Sequence, residues 1–277
     1  MQEYADRMAY TQQKTAFVPT MGFLHKGHLA LVKEGFKHGD RVVVSIFVNP
    51  TQFGPNEDFE SYPRNMEQDI NVLEKEGVDI LFTPGAGDLY TEGFQTSVQL
   101  KNLPNHLCGI TRPGHFQGVA TVVTKLFNIV KPDYALFGQK DFQQLAVIRR
   151  MVKDLNLDVE IIGVPTVRET DGLAMSSRNT YLSPDQRKSA LSIYNSLKNS
   201  QIMLKKGVSE AKKIIEASRD IINSRPGTDI DYLIICDPET LEEIKVINRP
   251  ALFAMAVKIG KTRLIDNMII IPGKNNI

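Results

Sequence analysis

The chain has no tryptophan and only two cysteines, Cys108 and Cys236, among 277 residues. They stand far apart and outside any Cys-x-x-Cys spacing, which argues against a disulfide framework and fits a reducing cytoplasm. Charge of one sign is also missing. With 33 Lys and Arg against 32 Asp and Glu the formal net charge is +1, so bulk electrostatics points to neither a nucleic acid nor a membrane surface. The aromatic and basic residues form no stripe that would suit a nucleic acid. No run approaches the roughly 18 apolar residues of a membrane-spanning helix. The opening MQEYADRMAY carries charges of both signs and no apolar core, which excludes a secretory signal. The expectation is a soluble, cytoplasmic protein of ordinary globular composition, long enough for one large or two modest domains.

What is present is alternation. Strand candidates at 16–21, 41–49, 78–84, 133–139 and 159–167 are separated by helical patterns at 28–39, 66–77, 119–130 and 142–155. Several strands are apolar at consecutive positions, as strands covered on both faces are. Gly39 and Gly77 stand where helices should end. This reads as a Rossmann-like, doubly wound parallel α/β sheet. Beyond about residue 175 the texture changes. Residues 183–207 read as a helix with Ser183 as N-cap, Pro184 in its first turn and Gly207 as its stop, and 208–225 as another. Strand patterns follow at 230–236, 251–259 and 262–271, the last two joined by Gly260-Lys261. A smaller C-terminal α+β domain is expected, with the boundary between 1–174 and 175–277.

The first strand-to-helix loop, PTMGFLHKGHLALV (19–32), carries His25 and His28 around Gly27. One histidine at a helix start is most often a cap or surface group. Two in H-x-G-H spacing, where an open sheet delivers its strand end to a helix N-terminus, favour donors to phosphate oxygens. Gly22 and Gly27 would admit a ligand close to the backbone. Zinc binding ranks low, because no further ligand cluster lies nearby. H-x-G-H loops resemble those of the nucleotidylyltransferase superfamily, which cleaves ATP between its α- and β-phosphates. Class I aminoacyl-tRNA synthetases share the loop and pair it with a second, mobile K-M-S-K-S-like loop. DGLAMSSRN (171–179) suits that part, with Arg178 able to make bidentate phosphate contacts.

Three further segments complete the pattern. In SIFVNPTQFGPNEDFESYPR (45–64), Gln52 falls at the carboxyl end of the second strand, and the carboxylates of NEDFESYPR are either solvated or assist a magnesium ion. In LFGQKDFQQL (136–145), Gly138 permits close approach, Lys140 brings a point charge, Asp141 can cap the helix or hold a ribose hydroxyl, and Gln144 follows one turn on. TRPGHFQGV (111–119) places Arg112 and His115 before a helix, as a lid, a supporting element or plain structure.

Together, P-T-M-G-x-L-H-x-G-H, F-V-N-P-x-Q-F-G-P-x-E-D, R-P-G-H-F-x-G-V, F-G-x-K-D-x-Q-Q-L and D-G-L-A-x-S-S-R-N resemble the pantoate–β-alanine ligase (pantothenate synthetase) family over nearly the whole chain. The resemblance implies a two-step ligation. Pantoate carboxylate attacks the α-phosphate of MgATP to give pantoyl adenylate and pyrophosphate. The β-alanine amine then displaces AMP to give pantothenate. It implies an ATP site made of Met21, Gly22, Phe23, Leu24, His25, Lys26, Gly27, His28, Gly138, Gln139, Lys140, Asp141, Val167, Met175, Ser176, Ser177 and Arg178, with Lys26 and Gln139 at variable positions. Within it His28 is the catalytic histidine, assisted by His25 and Lys140. Gln52 and Gln144 bind pantoate, and Gln52 also borders the β-alanine route. Asp69, as a metal residue, and Arg112 fall near the site. A homodimer with the C-terminal domain as lid is implied as well. So is a longer lead-in strand and helix than this chain has, which would make its N-terminus divergent or incomplete. The rival expectations are another H-x-G-H nucleotidylyltransferase, or a non-catalytic nucleotide-binding relative.

Overall fold

The computed structural model describes residues 1–55 and 57–272. Two compact units emerge. One comprises Met1–Pro104, Gly109–Gln139 and Gln144–Val167; the other comprises Asn105–Cys108, Lys140–Gln143 and the chain from Arg168 onward.

In the first unit five parallel strands lie in the order β3-β2-β1-β4-β5: β1 Thr15–Thr20, β2 Arg41–Ile46, β3 Ile80–Phe82, β4 Tyr134–Gly138 and β5 Glu160–Val164. The helices in chain order are α1 Gln2–Tyr10, α2 Lys26–Gly35, α3 Met66–Glu76, α4 Ala86–Leu89, α5 Cys108–Thr111, α6 His115–Val130 and α7 Phe142–Asp154, of which α5 and α7 have residues in both units. The consecutive apolar residues of the strands are explained by two cores. Phe17, Val43 and Ala135 pack with Val119, Val123 and Leu145 from α6 and α7. Their neighbours Ala16, Val18, Val42, Val44 and Leu136 pack with Leu31, Val32 and Leu73 from α2 and α3. Because successive side chains point to opposite faces, a strand buried on both must be apolar throughout. Strands are added outward from β1 on one side, and then from β4 on the other. The loops leaving β1 and β4 therefore diverge at their carboxyl ends, where open α/β sheets bind ligands.

The second unit has an antiparallel sheet, β6 Thr228–Cys236, β7 Ala251–Ile259 and β8 Thr262–Ile270, in the order β6-β7-β8. Helices α8 Pro184–Lys205 and α9 Ala211–Asn223 supply Ile193, Leu197, Ile214 and Ile222 to a core shared with Phe253 and Met255. Ser183 caps α8 by accepting from Gln186 N, Pro184 opens the helix, and Gly207 follows its end with φ +87°.

Two local expectations change, and one helix was not foreseen. Gly77 ends α3 in the left-handed conformation, but α2 stops at Gly35 and Gly39 caps nothing. A Cβ on Gly39 would lie 2.7 Å from the backbone nitrogen of Ala16, so glycine is kept there for a close crossing of β1. Helix α6 starts at His115, four residues earlier than its apolar pattern suggests. Helix α1 has no capping side chain and buries only Ala5 and Met8, too thin a stripe to announce itself.

Candidate active site

The loop after β1 is built around one carboxylate. Gly22 has φ +82° and Phe23 has φ +52°, turning the backbone so that successive amides point inward. Phe23 N donates to Asp69 Oδ2 and Leu24 N to Asp69 Oδ1, each at 2.7 Å, and Asp69 on α3 is only 2% exposed. Both Asp69 oxygens are engaged in holding the loop, a role other than the metal residue expected there. Among the described residues, no group of three or more His, Cys, Asp or Glu side chains is placed to hold a metal ion.

His25 then caps α2. Its Nδ1 accepts from Gly27 N at 3.1 Å, while His28 Nδ1 accepts from His25 N at 3.3 Å. The rings stack with centroids 4.0 Å apart. The cap reading and the phosphate-donor reading are therefore compatible. With each Nδ1 accepting from an amide, the neutral tautomer carries its proton on Nε2, where it can be donated. Lys26 and Gly27 form the first turn of α2, with the Lys26 side chain in solvent.

Gln52 lies in a 3₁₀ turn after β2, where its Nε2 donates to Met21 Sδ at 3.3 Å. The turn is fixed by Asn49, which is 1% exposed. Asn49 Nδ2 donates to Gln52 Oε1 and Gly118 O, and its Oδ1 accepts from Tyr90 OH. Sequence reasoning missed Asn49; an Asn-Pro pair signals the end of a strand but not the burial that makes the amide a hub. His115 Nδ1 donates to Gln52 O at 2.7 Å, and Arg112 grips Glu57 through two bonds of 2.6 Å. Arg112 and His115 thus support the Gln52 turn, and Glu57 is engaged by a guanidinium; Asn56 of the same acidic segment lies outside the described residues. Burial pushes the Glu57 carboxyl up, but the bonds and charge of Arg112 outweigh it and hold the pKa below its usual value. Gly138 ends β4, Gln139 donates through Nε2 to Gly163 O, Gln144 lies half-buried in the first turn of α7, and Val167 follows β5.

The remaining expected residues belong to the second unit. Lys140 and Ser176 line one small cavity together with Ala174, Asn179 and Asp266. The Lys140 ammonium stands 3.7 Å from Asp141 Oδ1. Met175 leads into a 3₁₀ turn, Ser177–Tyr181, capped by Ser176, whose Oγ accepts from Arg178 N at 3.3 Å; Ser177 is buried. The expected nucleotide set is thus divided: Met21 to His28, Gly138, Gln139 and Val167 in one unit, Lys140, Asp141 and Met175 to Arg178 in the other. The ion pairs beneath the second loop, Arg168 with Asp266 and Arg187 with Glu169 and Asp171, also escaped sequence reading. Nothing in a surface-like arginine announces its carboxylates.

Comparison with known proteins shows the family of the chain. Residues 1–269 match the sequence model of the family described as pantoate-beta-alanine ligase. A pantothenate synthetase of Desulfatibacillum aliphaticivorans is 59% identical over 257 residues, 93% of this chain and 92% of the relative. The crystal structure of pantothenate synthetase from Thermus thermophilus superposes with a TM-score of 0.92 at 47% identity, covering 97% of this chain and 98% of the other. That of pantoate-beta-alanine ligase from Francisella tularensis, complexed with beta-gamma ATP and beta-alanine, gives a TM-score of 0.79 at 37% identity, covering 96% and 94%. The chain belongs to the pantoate-beta-alanine ligase family.

Proposed function

We propose that this protein condenses pantoate with β-alanine at the expense of ATP, through pantoyl adenylate, releasing pyrophosphate and AMP. A carboxylate anion is a poor electrophile, and adenylation gives it a good leaving group. The protein's task is then positioning and stabilisation of phosphoryl charge, with little covalent chemistry of its own. The observation that carries the reading is the pair of stacked imidazoles, each with Nδ1 accepting from a backbone amide at the mouth of α2. That leaves Nε2–H as a donor, so His28, with His25 and Lys140, meets the charge that develops on the α-phosphate. Met21 to His28, Gly138 to Asp141, Val167 and Met175 to Arg178 form the ATP site in this reading. Gln52 and Gln144 hold pantoate, and Gln52 borders the β-alanine path. Magnesium enters as the ion accompanying the triphosphate. Asp69, with both oxygens accepting from amides, serves the loop in this reading. The working form is a cytoplasmic homodimer.

Pantoate-dependent exchange of pyrophosphate into ATP tests the first step, and the appearance of AMP with an amide product tests the second. An accumulating dinucleotide would instead indicate a nucleotidylyltransferase, and no exchange a silent relative. Losing one preorganised donor costs about 3 kcal/mol, or roughly a hundredfold in rate. His28→Ala and Lys140→Ala should lose at least that factor in exchange while folding normally. Near-normal exchange in either variant would refute its assigned role.

A further inference from the structure

The loop carrying Ser176, Ser177 and Arg178 is held to α8 in two different ways. The first is packing. Gly172 has φ +98°, and a Cβ there would lie 2.0 Å from the ring of Tyr194, so the turn sits flat against that ring. The second is a relay of polar groups. Arg187, in the first turn of α8, donates to Glu169 Oε1 and Oε2 at 3.2 and 2.8 Å, and to Asp171 Oδ2 at 2.7 Å. Glu169 Oε1 also accepts from Asn179 Nδ2 at 2.9 Å. Asn179 immediately follows Arg178, and its Nδ2 donates as well to Ala174 O at 3.0 Å, on the other side of the serines. The hydrogen-bonded chain therefore brackets the phosphate-binding residues from both ends. Arg187 reaches none of them directly.

We infer that Arg187, acting through Glu169 and Asn179, is a positioning residue that fixes the 175–178 segment for ATP. The inference rests on the reading of that segment as a phosphate-binding loop. The three charged side chains are 31 to 33% exposed, so water can solvate whichever partner is left behind when one is removed. The packing of Gly172 on Tyr194 is untouched by such a change. A staple that only stabilised the unit would be redundant with that packing. A relay ending at Asn179 instead selects one geometry for the serine hydroxyls and the Arg178 guanidinium.

Arg187→Met and Asn179→Ala separate the two roles. Steady-state kinetics should give a KM for ATP raised about tenfold in both variants. The KM for pantoate should stay within twofold and the thermal midpoint near that of the parent protein. Arg187→Lys, which keeps the charge but cannot grip two carboxylates, should fall between. Asn179→Ala cuts the relay at its loop end and leaves the Arg187 pairs intact, so it carries the test if Arg187→Met does not fold. A KM for ATP unchanged within twofold would overturn the inference. So would a parallel worsening of both KM values with the thermal midpoint. If the parent protein shows no pantoate-dependent exchange, the ligase reading fails. Equilibrium dialysis with ATP then still decides the relay, because weaker ATP binding in both variants supports it and equal binding overturns it.

Discussion

The two nitrogens of each loop histidine have different duties, and the difference can be tested one atom at a time. His25 Nδ1 accepts from Gly27 N as the helix cap, a duty that an asparagine carbonyl also performs. The Nε2 proton has no equivalent in asparagine. His25→Asn should therefore keep the stability of the parent protein and lose rate in the exchange assay. His25→Ala should lose rate and also about 1 kcal/mol of stability, the usual cost of a missing cap. Denaturant unfolding of the two variants checks the separation. If His25→Asn exchanges pyrophosphate at the parental rate, the imidazole is a cap and nothing more. At this scale the position of the loop was legible in the sequence, because H-x-G-H falls where β1 hands over to α2. What was not legible is the identity of the partners. The sequence does not reveal that the acceptor for the Phe23 and Leu24 amides lies on α3, at Asp69, more than forty residues on.

At the scale of elements, Asp69 joins two of them, and its employment leads to an expectation opposite to that for a metal ligand. Replacing Asp69 by Ala leaves two amides of a largely buried turn without their acceptor, at about 2–6 kcal/mol in total if each costs its usual share. The loop should then lose its shape and the nucleotide its donors. Excess magnesium should restore neither stability nor exchange. A variant rescued by raising magnesium tenfold would return Asp69 to the metal. The elements themselves were legible where one pattern dominated. Consecutive apolar residues marked β1, β2 and β4, and Ser183-Pro184 with Gly207 bounded α8 to within two residues. They were less so where tertiary contact overrode the pattern. Gly39 looks like a helix stop but serves a close crossing of β1, and α6 begins at His115 because that end supports the Gln52 turn.

For the molecule as a whole, both cysteines belong to one of the two units, which gives that unit its own reporter. Cys236 lies in β6 with no exposure, where burial, reinforced by Asp237 and Glu243, pushes the thiol up to about 12. Cys108 is also buried, with its sulfur 3.2 Å from the Tyr232 hydroxyl. Only the thiolate attacks an alkylating reagent, so at pH 8 the Cys236 thiol does not react readily in the native state. Labelling of Cys236 must follow the small population in which the unit is open, when reclosing outpaces the reagent. The same unit carries Lys140 and Ser176 to Arg178. A ligand that binds only the folded form lowers the open population by the factor 1 + [L]/Kd. ATP at about one hundred times its Kd should therefore slow Cys236 alkylation roughly a hundredfold. Pantoate alone, assigned to Gln52 and Gln144 of the first unit, should slow it far less. Mass spectrometry of pulse-labelled protein measures both. If pantoate alone protects Cys236 as strongly as ATP does, the two units unfold as one and the thiol reports on the whole chain. If ATP gives no protection, the nucleotide does not bind through the second unit, and Lys140 and Arg178 lose their assigned roles together.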